Sequence, residues 1–186
     1  MTSAELVTLV DPDDRDVGTA EKLHAHRHGL LHRAVSVLLF DPAGRQLLQR
    51  RATTKYHSAG LWSNACCGHP RPGESPAAAA GRRLLEEMGV AVPLEARFRL
   101  RYRAELEGGL VEHEVDHVFT GRFDGDPVPD PAEVSECRWL DPEALAAELA
   151  VAPEKFTAWF RLLDQARRSG HTSISTASPP PSPPAV

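Results

Sequence analysis

Long apolar runs are missing from this sequence. The longest, Ala34 to Phe40, is the length of one strand and is interrupted by Ser36, far short of the roughly 20 residues that cross a bilayer. No membrane partner is expected. Cysteine is sparse: Cys66, Cys67 and Cys137 are the only three, and two of them are adjacent. An odd, clustered set cannot build a disulfide framework and suits a reducing, cytoplasmic setting. Positive charge is also short, with 21 Lys and Arg against 26 Asp and Glu, a net charge of −5. Nucleic-acid binding wants a basic surface, so no nucleic-acid partner is expected. The opening MTSAELVTLVDPDDRD has neither the basic start nor the apolar core of a signal peptide. What remains is ordinary: 186 residues, 41% hydrophobic and 25% charged, the make-up of one soluble globular domain.

The chain divides into three stretches. Residues 1–19 read as an N-terminal segment, loosely ordered or carrying a short strand at Glu5–Val10. Residues 20–169 read as the folded domain. Residues 170–186, GHTSISTASPPPSPPAV, hold almost nothing that could enter a core and are expected to be a disordered Ser/Thr/Pro-rich tail. Within the domain, Arg33–Phe40 and Arg45–Arg50 flank the turn Asp41-Pro42-Ala43-Gly44 and predict a hairpin. Ser75 as a cap, Pro76 at the first helical position, four alanines and Gly89 at the end predict a helix over Ser75–Met88. Arg97–Glu105 and Leu110–Phe123 predict a second hairpin around Glu107-Gly108-Gly109. A short strand at Cys137–Leu140 and helices at Pro142–Leu149 and Pro153–Arg168 follow. This mixture predicts an α+β fold, a mixed β-sheet flanked by helices.

One segment carries more information than the rest. Gly68-His69-Pro70-Arg71-Pro72-Gly73-Glu74 is followed, seven residues later, by Arg82-Arg83-Leu84-Leu85-Glu86-Glu87-Met88-Gly89-Val90. It resembles the Nudix box, G-x5-E-x7-R-E-U-x-E-E-x-G-U with U aliphatic, at every fixed position but one: Arg83 stands where the box has a glutamate. The box is a loop-helix-loop that aims carboxylates at a divalent cation, which in turn holds a diphosphate. Arg82–Glu86 and Arg83–Glu87 are also the ion-pair spacing of an ordinary amphipathic helix, but chance does not often supply a match of this length. Arginine inverts the charge where cations should bind, which puts ordinary Nudix hydrolysis in doubt while leaving the fold and diphosphate affinity intact.

The surroundings narrow the reading. Glu21-Lys22, His26 and His32, Arg51-x3-Lys55, Trp62-x-Asn64-x2-Cys67-Gly68-His69-Pro70, Tyr102-Arg103-Ala104, Glu112-x-Glu114 and Phe156-x2-Trp159 together resemble the type 1 isopentenyl-diphosphate isomerases, a divergent Nudix-fold family, over about residues 20–165. Glu112 and Glu114 are two apart on a predicted strand and so share a face, whereas His113 points away. With His26, His32 and His69 they make a donor set that suits Zn²⁺ or Mn²⁺ better than Mg²⁺. His24 and His28 stand beside His26 as competing side chains. Taken singly, each of these residues has a bland explanation, a hydrogen-bonded histidine or a solvated carboxylate.

The resemblance implies conversion of isopentenyl diphosphate to dimethylallyl diphosphate, the precursor step of isoprenoid biosynthesis, by a cytoplasmic monomer. An unactivated alkene is protonated to a tertiary carbocation, and a proton then leaves C2. On this reading Cys67 and Glu114 are the acid–base pair, in either order, with Tyr102 supporting proton delivery. Lys22, Arg51, Lys55 and Arg83 clamp the diphosphate, and Glu87 holds a Mg²⁺ against it. Trp159, with Trp62 as a second wall, shields the cation. Cys66 and Cys137 are structural. Two rival readings are a Nudix diphosphohydrolase, against which Arg83 speaks, and a non-catalytic diphosphate-sensing module, which has no use for Cys67, Tyr102 and Glu114.

Overall fold

The computed structural model describes residues 5–170 and the backbone of Ser175–Thr176. No helix among the described residues is long and apolar enough to cross a membrane. The strands are β1 (Leu6–Val10), β2 (Asp16–Glu21), β3 (His32–Phe40), β4 (Gln46–Arg51), β5 (Trp62–Asn64), β6 (Cys66–Gly68), β7 (Leu94–Glu105), β8 (Val111–Arg122), β9 (Val134–Leu140) and β10 (Ser175–Thr176). The helices are α1 (Lys22–His28), α2 (Pro76–Met88), α3 (Pro142–Val151) and α4 (Ala158–Arg168).

The strand order β10-β7-β8-β3-β1-β2, with β4, β5, β6 and β9 attached beside it, makes the sheet mixed. β3 is its centre. It runs parallel to β8, with His32 opposite Glu114 and Phe40 opposite Arg122. It runs antiparallel to β6, with Ser36 opposite Cys67. Both faces of β3 are covered, which is why its sequence is nearly continuous in apolar residues rather than alternating. Val35, Val37 and Leu39 enter one core with Leu84 and Met88 of α2 and Phe119 of β8. Leu38 enters the other with Leu100, Phe156, Trp159, Phe160 and Leu163.

The helix of the box begins as expected. Ser75 Oγ accepts from the Ala78 amide at 3.2 Å, Pro76 follows, and Gly89 ends the helix at φ 65°. The loop before it is closed by the box's first carboxylate. Glu74 accepts from the Arg71 amide at 2.8 Å and from Arg82 Nε and Nη2 at 2.8 and 2.7 Å.

Four features depart from the sequence reading. The short strand expected at Glu5–Val10 is present as β1, but it gains an unexpected partner, β2, in a ribbon pinned to the sheet where Arg33 Nε and Nη2 donate to Asp14 at 2.7 and 2.6 Å. His26 lies on a short helix, α1, which the sequence reading did not predict. The helix expected over Pro153–Arg168 is broken: Phe156 is extended and bridges to Trp62, and Thr157 caps α4 by accepting from the Phe160 amide at 3.4 Å. Within the tail expected to be disordered, Ser175–Thr176 pair with β7; residues 171–174 and 177–186 lie outside the described residues.

The Glu74–Arg82 pair has a measurable consequence. The Arg82 guanidinium, hydrogen-bonded to it, lowers the Glu74 carboxyl to about 2. Its contribution is therefore complete above the ordinary glutamate range and is lost as pH falls from about 4.5 towards 2. Glu74→Gln should cost about 1–2 kcal/mol at pH 7 and remove that part of the acid limb, as read by thermal melting against pH.

Candidate active site

Three donors meet at one point. His32 Nε2 lies 3.2 Å from His69 Nε2, and Glu114 Oε1 lies 3.3 Å from the first and 3.1 Å from the second. The register that sets Glu114 of β8 beside His32 of β3 brings two of them together, and His69 arrives from the end of β6. His32 Nδ1–H donates to the Leu30 carbonyl at 2.8 Å, so its Nε2 carries a lone pair. That lone pair faces a carboxylate oxygen, which is unfavourable without a proton or a cation between them. Donors about 2.1 Å from a shared ion lie roughly 3 Å apart, and these edges have that length.

His26 completes the group, its ligand atom lying with those of His32, His69 and Glu114 within 4.8 Å of one another. Its Nδ1–H donates to the Lys22 carbonyl at 2.7 Å, and its Nε2 is buried without a partner. A ring nitrogen fixed on a carbonyl, with the other left free, is the usual support of a metal-binding histidine. His24 and His28 are exposed and stack on each other at 4.1 Å. α1 therefore selects His26 alone.

Glu112 and Glu114 do share a face, and both are buried. Tyr102 Oη, opposite Glu114 on β7, reaches Glu114 Oε2 at 2.6 Å and Glu112 Oε2 at 3.2 Å. Burial and then the charge of Glu114 push Glu112 well above the ordinary carboxyl range. Burial opposes ionisation of Glu114 too, but the His32 and His69 imidazoles beside it hold it well below that range. His113 turns away and donates to the Gly29 carbonyl at 2.9 Å.

The two adjacent cysteines part company. Cys66 is sealed in the α2 core, and Cys67 is half-buried at a cavity. Burial pushes the Cys67 thiol up to about 12, so it is a proton-bearing thiol at neutral pH. Cys137 packs on the α2 core.

The cavity measures about 500 Å³ and is lined by Lys22, Arg51, Lys55, Cys67, His69, Arg83, Glu87, Tyr102, Glu112, Glu114 and Trp159 among others. Nearly all the residues singled out from the sequence converge on it, with His26 and His32 buried behind. Its cations are already matched by carboxylates: Lys22 with Glu5 at 2.9 Å, Lys55 with Glu133, and Arg83 Nη2 with Glu87 Oε1 at 2.6 Å. Arg51 lies over the Trp159 ring, 5.1 Å from its centroid. Burial outweighs Arg83 and raises the Glu87 carboxyl, which also accepts from Gln49 at 2.9 Å.

Trp62 is the exception. It does not line the cavity; β5 directs it elsewhere, under the Arg138 guanidinium at 4.1 Å, which Glu148 holds. Sequence reasoning also missed Tyr56, His57 and Glu133, which do line the cavity. Their loops follow no period, and no spacing signal marks them.

Residues 30–160 match the NUDIX domain. Isopentenyl-diphosphate Delta-isomerase 1 of Aromatoleum aromaticum is 54% identical over 153 residues, 82% of this chain and 86% of its own. The Isopentenyl-diphosphate Delta-isomerase of Streptomyces griseus is 52% identical over 168 residues, 88% of this chain and 84% of its own. A solved structure from Deinococcus radiodurans superposes with a TM-score of 0.72 at 22% identity, covering 87% of this chain and 98% of its own, a likeness of fold.

The state of Cys67 is open to chemical test. Because only the thiolate reacts with iodoacetamide, alkylation at Cys67 should be slow at neutral pH. It should keep rising roughly tenfold per pH unit from about pH 8 to about pH 11. An ordinary cysteine would level off at about pH 8.5–9. Peptide mass spectrometry after timed labelling reads the difference.

Proposed function

We propose that this chain, which belongs to the isopentenyl-diphosphate Delta-isomerase family of Nudix domains, converts isopentenyl diphosphate to dimethylallyl diphosphate. The observation that carries the reading is the pairing of Cys67 and Glu114 across one cavity. Cys67 on β6 and Glu114 on β8 flank β3 from opposite edges. One holds its proton and the other is ionised. A substrate lying over β3 would have a proton donor on one side and an acceptor on the other, which a 1,3-proton shift requires.

The steps follow from this chain's own groups. A proton is added to the terminal carbon of the alkene, leaving a tertiary carbocation, and a proton is then taken from C2, so that the double bond moves and the composition is unchanged. Cys67 and Glu114 serve these two transfers. Tyr102, hydrogen-bonded to Glu114 at 2.6 Å, orients that carboxylate. Trp159 offers a buried π-face beside the reacting carbons, worth about 2 kcal/mol to a desolvated cation. Trp159 itself is 2% exposed, so little water stands at that face to capture the cation. Lys22, Arg51, Lys55 and Arg83 would hold the diphosphate.

The donor sets suit two kinds of ion. Three imidazoles and two carboxylates at His26, His32, His69, Glu112 and Glu114 favour Zn²⁺ or Mn²⁺. The oxygen donor of Glu87 beside the diphosphate clamp suits Mg²⁺. When bound, these ions supply charge that keeps Glu114 ionised and neutralises the diphosphate. Arg83 stands where the box has a glutamate and pairs with Glu86 at 2.6 Å, which weighs against Nudix diphosphate hydrolysis. The cavity is complete within one chain, which supports a monomer. The three free cysteines suit the cytoplasm.

Full-length protein incubated with isopentenyl diphosphate and Mg²⁺ in deuterated water should yield deuterium-bearing dimethylallyl diphosphate by NMR. Chelation should abolish the product. Phosphate release without isomerisation would replace this reading with hydrolysis. Cys67→Ala and Glu114→Gln should each lower kcat by at least roughly 10²–10⁴-fold in folded protein, and Cys66→Ala should leave it nearly unchanged. Removing residues 172–186 should leave kcat and KM as they are, since residues 20–169 are expected to carry the activity.

A further inference from the structure

A diphosphate head group cannot distinguish one alkenyl diphosphate from a longer one. Lys22, Arg51, Lys55 and Arg83 answer only to its charge, which every such compound carries. Discrimination by size has to be made where the carbons lie, around Cys67, Glu114 and Trp159.

The lining there narrows the choice. β3 contributes Ala34, Val35 and Ser36, nothing larger than valine, so the bulk comes from rings. Tyr102 is committed to Glu112 and Glu114, and His69 to His32 and Glu114. Tyr56 is 49% exposed and bounds the cavity only against solvent. His57 is 6% exposed and also lines the cavity. Its ring stands edge to face with Trp159, centroids 5.8 Å apart. One of its nitrogens lies within 4.8 Å of a Glu112 carboxylate oxygen. His57 thus sits between the π-face of Trp159 and the carboxylates of β8.

The ring has little freedom to retreat. The next residue, Ser58, is buried and sits at φ +50°, a left-handed conformation rare outside glycine. Such conformations persist where the surroundings over-determine them. Arg51 fastens both members of the ring pair: its guanidinium lies over Trp159, and its Nη2 donates to the His57 carbonyl at 3.3 Å. Tyr56 packs edge-on against His57 at 4.5 Å. The hydrogen bond between His57 Nδ1 and Ser58 Oγ is long, 3.4 Å. Packing and backbone, more than its own polar contacts, hold this imidazole in place, as befits a wall.

We propose that His57, braced by Trp159, determines substrate size by filling the space that a group larger than methyl on C3 would need. The inference rests on the functional reading above and names the side chain that sets its size limit. A hydrophobic pocket discriminates one methylene by roughly 10–200-fold, and a ring fixed by its backbone keeps that discrimination. The alternative is that His57 only packs against Trp159 and the limit lies elsewhere.

Two substrates in one reaction separate these readings. Full-length His57→Ala is given isopentenyl diphosphate together with 3-ethylbut-3-enyl diphosphate. Its kcat/KM ratio, ethyl over methyl compound, should rise at least about tenfold above that of the unmodified protein. Both substrates compete for the same active molecules, so a purely structural loss of active protein leaves the ratio where it was. His57→Phe, which adds bulk at the same point, should lower the ratio, and it decides where His57→Ala does not fold. Tyr56→Ala should not move it. An unmoved ratio in the His57 variants, or an equal rise in Tyr56→Ala, overturns the proposal. Calorimetry with the saturated analogues 3-methylbutyl and 3-methylpentyl diphosphate makes the same comparison without turnover. The longer analogue should gain at least about tenfold in relative affinity in His57→Ala. That gain in a protein that does not isomerise isopentenyl diphosphate would overturn the functional reading and leave the size limit standing. Isomerisation with no shift in either ratio would do the reverse.

Discussion

A carboxylate almost out of reach of water organises this molecule. Glu114 is 5% exposed and keeps its charge because His32, His69 and Tyr102 all address it. An isolated buried carboxylate would take up a proton instead. Each of the three partners comes from a different strand or strand end, so the sheet must be assembled in register before Glu114 can stay ionised. A slip of one residue along β8 would turn Glu112 and Glu114 to the opposite face and His113 into the site. The site's charge state and the sheet's register are thus one constraint.

β3 transmits that constraint to the rest. It contributes His32 directly, sets Ser36 beside Cys67, and carries alternate residues into two cores. The α2 core fixes the box, and with it Arg83 and Glu87. The α4 core fixes Trp159. Chemistry and packing share this strand so closely that its apolar positions cannot be changed for packing reasons alone.

Much of this could be read from residue order, and the reasons are local. Ser75, Pro76 and Gly89 specify α2 through capping. The period of two places Glu112 with Glu114 and parts Cys66 from Cys67. The parts that could not be read depend on contacts distant in sequence. Trp62 looked like a cavity wall, but its place is set by the bridge to Phe156 and by Arg138. His57 depends on the unusual backbone of Ser58, which no neighbouring residue signals. The ribbon of β1 and β2 is largely exposed on β2 and lacks an apolar alternation; its anchor is Asp14, held by Arg33, Arg99 and His117. Lys22 and His26 follow that ribbon immediately, so a segment that looks peripheral sets the position of two site residues.

The pairing of the cavity's cations with internal carboxylates has a thermodynamic consequence. Lys22, Lys55 and Arg83 face Glu5, Glu133 and Glu87. On the proposed placement of the diphosphate, an entering substrate does not meet bare positive charge; it displaces resident anions, and its binding free energy is the difference between two sets of ion pairs. The exchange runs both ways. Substrate and product carry the same diphosphate, so the chemistry itself does nothing to loosen the grip on that group. Carboxylates tethered beside each cation are always at hand to take the diphosphate's place, and they give the pocket an outgoing exchange partner at a fixed, high local concentration.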